Sequence, residues 1–180
     1  MGGYGTLRIG MKHPQVFSAL YAMNPCCLTP RPAETAEARF ETMTLEQATA
    51  GDFMTRANFA VAAAWSPDPA RPPFYADLGS KQGKPDWDVI ARWWANAPTA
   101  FAAQHLPALR AMKAIAIDAG DKDFVLHEAQ AMHETLGKLG VAHSWELYEG
   151  DHGNRVTPRF ASHVLPFFAR HLETSGRTAR

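Results

Sequence analysis

The chain has no long apolar run, no surplus of charge and almost no cysteine, and each shortage excludes something. Its longest apolar stretches, Phe59 to Trp65 and Val164 to Ala169, fall far short of the about 20 residues that span a bilayer. A membrane partner is therefore not expected. No charged segment followed by an apolar one opens the chain, so no secretory signal is legible. The chain as given reads as cytoplasmic, while a longer parent protein is free to be secreted. Eighteen Lys and Arg balance 18 Asp and Glu for a formal net charge of 0. Without a basic stripe, nucleic acid is excluded as an expected partner. The only cysteines are the adjacent Cys26 and Cys27, which cannot staple distant segments and lack C-x-x-C spacing. Packed thiols at a strand end are the plainest reading, with a strained vicinal disulfide or a reactive thiol as alternatives. His127 and His133 are six positions apart, on different helix faces, and no H-E-x-x-H occurs, so no metal is expected. Gly2-Gly3-Tyr4-Gly5 lacks the G-x-x-x-x-G-K-[ST] phosphate pattern, and no cofactor is expected.

What is present is enough for one domain with a core: 180 residues, 46% of them hydrophobic. Tyr4, Leu7, Arg8 and Met11 fall at helical spacing over 3–13, and Pro14 stops that helix. Phe17 to Met23 is a short apolar run ending at Asn24-Pro25, which suits a buried parallel strand. Helical periods recur in Thr44 to Trp65 and Trp87 to Trp94, separated by the proline-dense 66–73. This stretch, 30–107, reads as a helical insertion lying over the sheet, and its tryptophans with Phe74 and Tyr75 line either a pocket or the insertion core. Strand Ala114 to Asp118, helix Phe124 to Leu139 capped by Gly140, strand Ser144 to Tyr148 and helix Arg155 to Leu172, kinked at Pro166, follow. The order predicts an α/β fold with a parallel sheet flanked by helices. One domain over 1–173 and a frayed tail over 174–180 are expected.

The loops after the two late strands, Asp118 to Phe124 and Glu149 to Arg155, lie where open α/β sheets place ligands. Acyl transfer needs a carboxylate that orients a histidine, which takes the proton of a hydroxyl nucleophile. Asp123 and His152 are one strand-helix-strand unit apart, so both project from the same sheet edge. Asp121 or Asp123 could instead cap the following helix, and a glycine-flanked loop histidine is commonly just solvated. The opening Met1-Gly2 matches the closing half of a G-x-S-x-G nucleophile elbow, Met1 following the serine and Gly2 closing the turn. Serine, aspartate and histidine would then run in that order along the chain.

These pieces resemble the esterase D and S-formylglutathione hydrolase group of α/β-hydrolases. The resemblance rests on Met1-Gly2-Gly3-Tyr4-Gly5, on His13-Pro14 with Phe17-Ser18-Ala19, and on Asn24-Pro25-Cys26-Cys27. Gly120-Asp121-Lys122-Asp123-Phe124, Gly150-Asp151-His152-Gly153 and Leu165-Pro166-Phe167-Phe168 complete it. It implies a partial α/β-hydrolase fold with a helical insertion, and ester or thioester hydrolysis of a small-molecule substrate. Asp123 takes the place of the triad acid and His152 that of the base; Asp118 and Asp121 are the competing acids. Met1 and Gly2 are the remnant of the elbow and its oxyanion donor.

The resemblance also implies that the family's serine and first strands have no counterpart here, as for a truncated gene or an internal start. Weak esterase activity is then expected, unless Ser18, Cys26, Cys27 or an activated water replaces the serine. The alternative is a catalytically silent binding or assembly module. Either way an uncovered sheet edge predicts a homo-oligomer.

Overall fold

The computed structural model describes residues 1–31 and 38–172; the tail expected at 174–180 lies outside them. The elements run α1 (Gly2–Lys12), β1 (Ala19–Met23), α2 (Leu45–Ala50), α3 (Phe53–Trp65), β2 (Ser80–Lys81), β3 (Lys84–Pro85) and α4 (Trp87–Trp94). There follow α5 (Pro98–Phe101), α6 (Leu106–Ala111), β4 (Ala114–Gly120), α7 (Leu126–Lys138), β5 (Ser144–Tyr148), α8 (Val156–Arg159) and α9 (Leu165–His171). They form two compact units, Met1–Thr29 with Phe101–Arg180, and Pro30–Ala100.

The first unit is built on a parallel sheet of order β1-β4-β5, as the alternation of strands and helices predicts. Gly120 pairs with Tyr148, so β4 and β5 end level and their following loops emerge side by side, while β1 ends two residues earlier, at Met23 opposite Asp118. Alternate residues separate the two faces. On one face, Leu20, Ile115 and Ile117 are buried. Gly10 of α1 lies so close to Leu20 that an added Cβ would collide with it, and Leu7 and Met11 of the same helix are fully buried. On the other face Ala19 and Ala116 pack against Phe167 of α9, whose ring meets Tyr21 edge-on at 5.2 Å.

Several element limits differ from the sequence reading, β4 running on to Gly120 rather than stopping at Asp118 among them. Strand β1 begins at Ala19 rather than Phe17, because the Val16 and Phe17 N–H groups close a turn onto the His13 carbonyl at 2.9 and 3.2 Å. Helix α7 begins at Leu126 rather than Phe124, because the Asp123 carboxylate accepts from the Val125 N–H at 2.9 Å and turns the chain before the helix starts. Its end is as expected: Gly140 has φ +64°, and the Val141 N–H reaches back to the Leu136 carbonyl at 2.9 Å, the glycine-capped helix end. The closing helix is broken one turn earlier than a Pro166 kink suggests. Phe160–Val164 is a π turn in which the Leu165 N–H donates to the Phe160 carbonyl. Pro166 brings no N–H of its own, and the ladder slips by one residue just ahead of it.

One carboxylate fixes the exit from β1. Glu128, in the first turn of α7, accepts at a single oxygen from the Leu28 N–H, the Thr29 N–H and the Thr29 hydroxyl at 2.8, 2.7 and 2.8 Å.

The second unit is helical around Trp65 and Trp93. Thr44 and Gln47 form a reciprocal capping box at the start of α2, and Asp52 caps α3 through the Thr55 N–H at 2.7 Å. Trp65 and Trp93 are buried, with the Trp93 indole donating to the Ser66 hydroxyl at 2.8 Å, and Phe59 stacks on Phe74 at 4.2 Å. These side chains are core. Tyr75 and Trp87 are exposed. The hairpin β2-β3 turns through Gln82 and Gly83, both at positive φ, the conformation of a tight two-residue loop.

Candidate active site

The loop after β4 and the loop after β5 are laced together by backbone. The Asp121 N–H donates to the Tyr148 carbonyl at 2.8 Å and the Lys122 N–H to the Gly150 carbonyl at 2.9 Å. The Gly150 N–H donates to the Asp121 carboxylate at 2.9 Å. A side chain at Gly120 would run into the Gly150 carbonyl, so glycine is what lets the loops approach.

That approach brings Asp123 and His152 together. The Nδ1 of His152 lies 3.1 and 3.0 Å from the two carboxylate oxygens of Asp123. The Asp123 side chain is 1% exposed and that of His152 39%. A carboxylate oxygen accepts, so Nδ1 is the donor of this pair and Nε2 is the ring nitrogen turned away from it. Among the described residues Nε2 has no hydrogen-bond partner. The Phe124 ring lies 5.1 Å from the imidazole and is itself mostly exposed. The histidine loop is shaped by Asp151, whose carboxylate accepts from the Gly153 and Asn154 N–H groups, both at 2.8 Å. Those bonds hold its carboxyl below the usual aspartate range.

Asn24 ties this arrangement to the end of β1. Its amide donates to the His152 carbonyl at 3.1 Å, and its oxygen accepts from the Gly120 N–H at 3.1 Å and the Tyr148 hydroxyl at 2.9 Å. It is 4% exposed with φ 40°, a left-handed conformation that asparagine tolerates better than most residues. One side chain thus touches the ends of all three strands. The motif reading quoted Asn24-Pro25 without giving Asn24 a role.

The competing acids are otherwise engaged. Asp121 holds the Gly150 N–H. Asp118 is 1% exposed and accepts from Arg159 Nε and from the Tyr21 hydroxyl, each at 2.9 Å. Arg159 also grips Glu146 at 3.1 and 2.6 Å and lies over the Tyr148 ring at 4.0 Å. Burial and the neighbouring Asp118 carboxylate push the Tyr21 phenol up, and the Arg159 hydrogen bonds hold Glu146 down.

Met1 stands at the N-cap position of α1 without a side-chain cap, and Met1, Gly2 and His152 line one groove of about 980 Å³ with Tyr21, Phe160 and Phe168. Ser18 borders the same groove. Gly2-Gly3-Tyr4-Gly5 is helix rather than loop. Gly3 abuts Pro25, where a Cβ would come within 2.7 Å of the proline ring. His133 pairs with His143, Nδ1 to Nε2 at 2.7 Å, and stacks on Trp145 at 5.1 Å. His127 is exposed. No described helix is long and apolar enough to cross a membrane.

No family model matches the chain, and no curated protein sequence does. Solved structures do match. A ferulic acid esterase is 18% identical over 96% of this chain and 49% of its own, with a TM-score of 0.57. The S-formylglutathione hydrolase of Staphylococcus aureus, without ligand, is 13% identical over 93% of this chain and 50% of its own, with a TM-score of 0.53. The chain therefore has a partial α/β-hydrolase fold, and it spans about half the length of the esterase and hydrolase structures it matches.

Proposed function

We propose that this chain carries the base and acid of a serine-type ester or thioester hydrolase. His152 is the general base, Asp123 orients it through Nδ1, and no cofactor is required. The observation that supports this most is the Asp123–His152 pair at 3.0 Å between loops that follow adjacent strands, with Nε2 left for a hydroxyl. Asp123 is buried and His152 partly open, the asymmetry such a pair needs: one group is shielded from water while the other reaches substrate. The start of α1, where Met1 and Gly2 border the same groove, is where an elbow serine and its oxyanion N–H would belong. The test is hydrolysis of p-nitrophenyl acetate by the 180-residue chain beside His152→Ala. Activity lost in the variant supports the reading, and equal rates overturn it for this chain. The same pair of proteins bearing an added N-terminal strand-Gly-x-Ser segment tests whether an elbow serine restores the rate.

A second reading has its own support. Strand β1 is an edge of the sheet, and the groove along it is mostly apolar. Such an edge pairs readily with another strand, and with a net charge of 0 two copies do not repel one another. The proposed occupant is a second copy of this chain, so that the protein acts in assembly. Light scattering at twice 19.8 kDa that falls to the monomer value in Ala19→Pro, at the first residue of β1 and on the side of the strand away from β4, with the fold kept by circular dichroism, supports it, and a monomeric wild-type chain overturns it.

A further inference from the structure

The turn leaving β1 places two thiols side by side. The Cys26 and Cys27 sulfurs are 3.1 Å apart, and each is 3.8 Å from the Met1 thioether sulfur. Cys27 has φ +62°, a left-handed conformation that is unfavourable outside glycine. In an extended chain neighbouring side chains point to opposite faces; the left-handed turn swings these two together. Both residues are half-buried, so small reagents reach them.

The electrostatics favour a thiolate at one of the two. The Cys27 thiol donates to Cys26, and the Met1 nitrogen, at the start of α1, donates to the same sulfur at 3.5 Å. The Cys27 hydrogen bond pulls the Cys26 thiol down against burial, which pushes it up. Thiols beside helix N-termini and histidines are the reactive ones.

We infer that Cys26 and Cys27 form a thiol–disulfide exchange site that takes small disulfides and closes on itself. The Cys26 thiolate attacks one sulfur of the small disulfide; a mixed disulfide forms, the old S–S bond breaks, and the released thiolate takes up a proton. Cys27 then gives its proton to solvent and attacks the Cys26 sulfur. The Cys26–Cys27 bond forms, the mixed disulfide breaks, and the second small thiol leaves with a proton. The pair has lost two electrons and two protons, and the reagent has gained both.

The closed form is labile by geometry. Consecutive Cα atoms are about 3.8 Å apart, below the about 4.4 Å at which unstrained disulfides begin, and strained disulfides are easily reduced. The pair cycles; it is not a staple. Nothing in this chemistry requires ester hydrolysis, so its test and that of the proposed function fail independently.

The probe is 4,4′-dithiodipyridine, whose released thiopyridone is counted by absorbance while the protein is weighed intact. The reduced wild-type chain is expected to release two equivalents, keep no adduct and lose two hydrogens, located by peptide mapping to Cys26–Cys27 and reversed by dithiothreitol. Cys26→Ser and Cys27→Ser, near-isosteric and checked by circular dichroism, are each expected to release one equivalent and keep the adduct. Two stable adducts on the wild-type chain, or no reaction, each overturn the assignment.

Discussion

The side-chain amide of Asn24 holds the backbone carbonyl of His152 at 3.1 Å across 128 positions of chain. The bond fixes where the histidine loop begins without touching the imidazole. Because the same side chain also accepts from Gly120 and Tyr148, Asn24 acts on the candidate base through position alone. Asn24→Ala leaves those partners unpaired, at about 1–3 kcal/mol for each buried polar group left unsatisfied. If the proposed hydrolysis holds, its kcat falls at least about tenfold with KM little changed, since each 1.4 kcal/mol lost at the transition state is a factor of ten. Steady-state kinetics beside urea unfolding checks both halves.

Gly120 and Gly137 separate a required glycine from an incidental one. Gly120→Ala drives a methyl into the Gly150 backbone and is expected to cost at least about 1–3 kcal/mol, the range for overpacking, while parting the loops that carry Asp123 and His152. Gly137, in the last turn of α7, has open space around it, so Gly137→Ala is expected to stabilise by about 0.5–1 kcal/mol through helix propensity. Urea midpoints of the two variants measure this, and a similar loss in both would contradict the packing argument.

Arg159 and Asp118 form a buried ion pair with side-chain exposures of 9% and 1%. Removing one partner of such a pair typically costs about 3–5 kcal/mol, because the other charge is stranded. Arg159→Met is therefore expected to be strongly destabilising, and adding Asp118→Asn to it should recover part of the loss. A double variant less stable than Arg159→Met alone would show that the carboxylate is not the stranded group.

The His133–His143 pair gives stability a pH dependence. Burial, and then the charge of His143, lower the His133 titration from its ordinary 6.5. The unfolded chain therefore binds more protons than the folded one as pH falls through that value, and stability rises with pH. The contribution is present above about pH 6.5 and is lost on acidification. His133→Gln should flatten the urea midpoint between pH 7 and 5. Trp145, stacked on His133, reports the same titration by fluorescence, and an unchanged profile in the variant would refute the assignment.

Local signals in the sequence were enough for the three strands of the parallel sheet, and strand β5 runs over Ser144–Tyr148 as expected. The turns alone left Asp121 and Asp123 open, and the resemblance was needed to single out Asp123 with His152, which the structure brings within 3.0 Å. Helix starts were less legible. Phe124 has helical spacing, but the Asp123 carboxylate captures the Val125 N–H, and a competing side-chain bond leaves no trace in periodicity. The β2-β3 hairpin had a weak signal in Gln82-Gly83 that a turn argument could have used. The Asn24 clamp, the Arg159 network and the His133–His143 contact had none, because each depends on packing between residues that are not neighbours along the chain. Half-sequence matches at 18% and 13% identity carry the fold and leave chemistry to the side chains.

The Glu128 carboxylate, with three donors on one oxygen, works as a strain relief at the exit of β1. Tension applied to the chain beyond Thr29 is taken up at Leu28 and Thr29 and does not travel back to Cys26 or Asn24. Lengthening, shortening or rewriting the segment that follows is thereby uncoupled from the geometry of the histidine loop, and the stretch after this anchor can diverge while the strand ends stay in register.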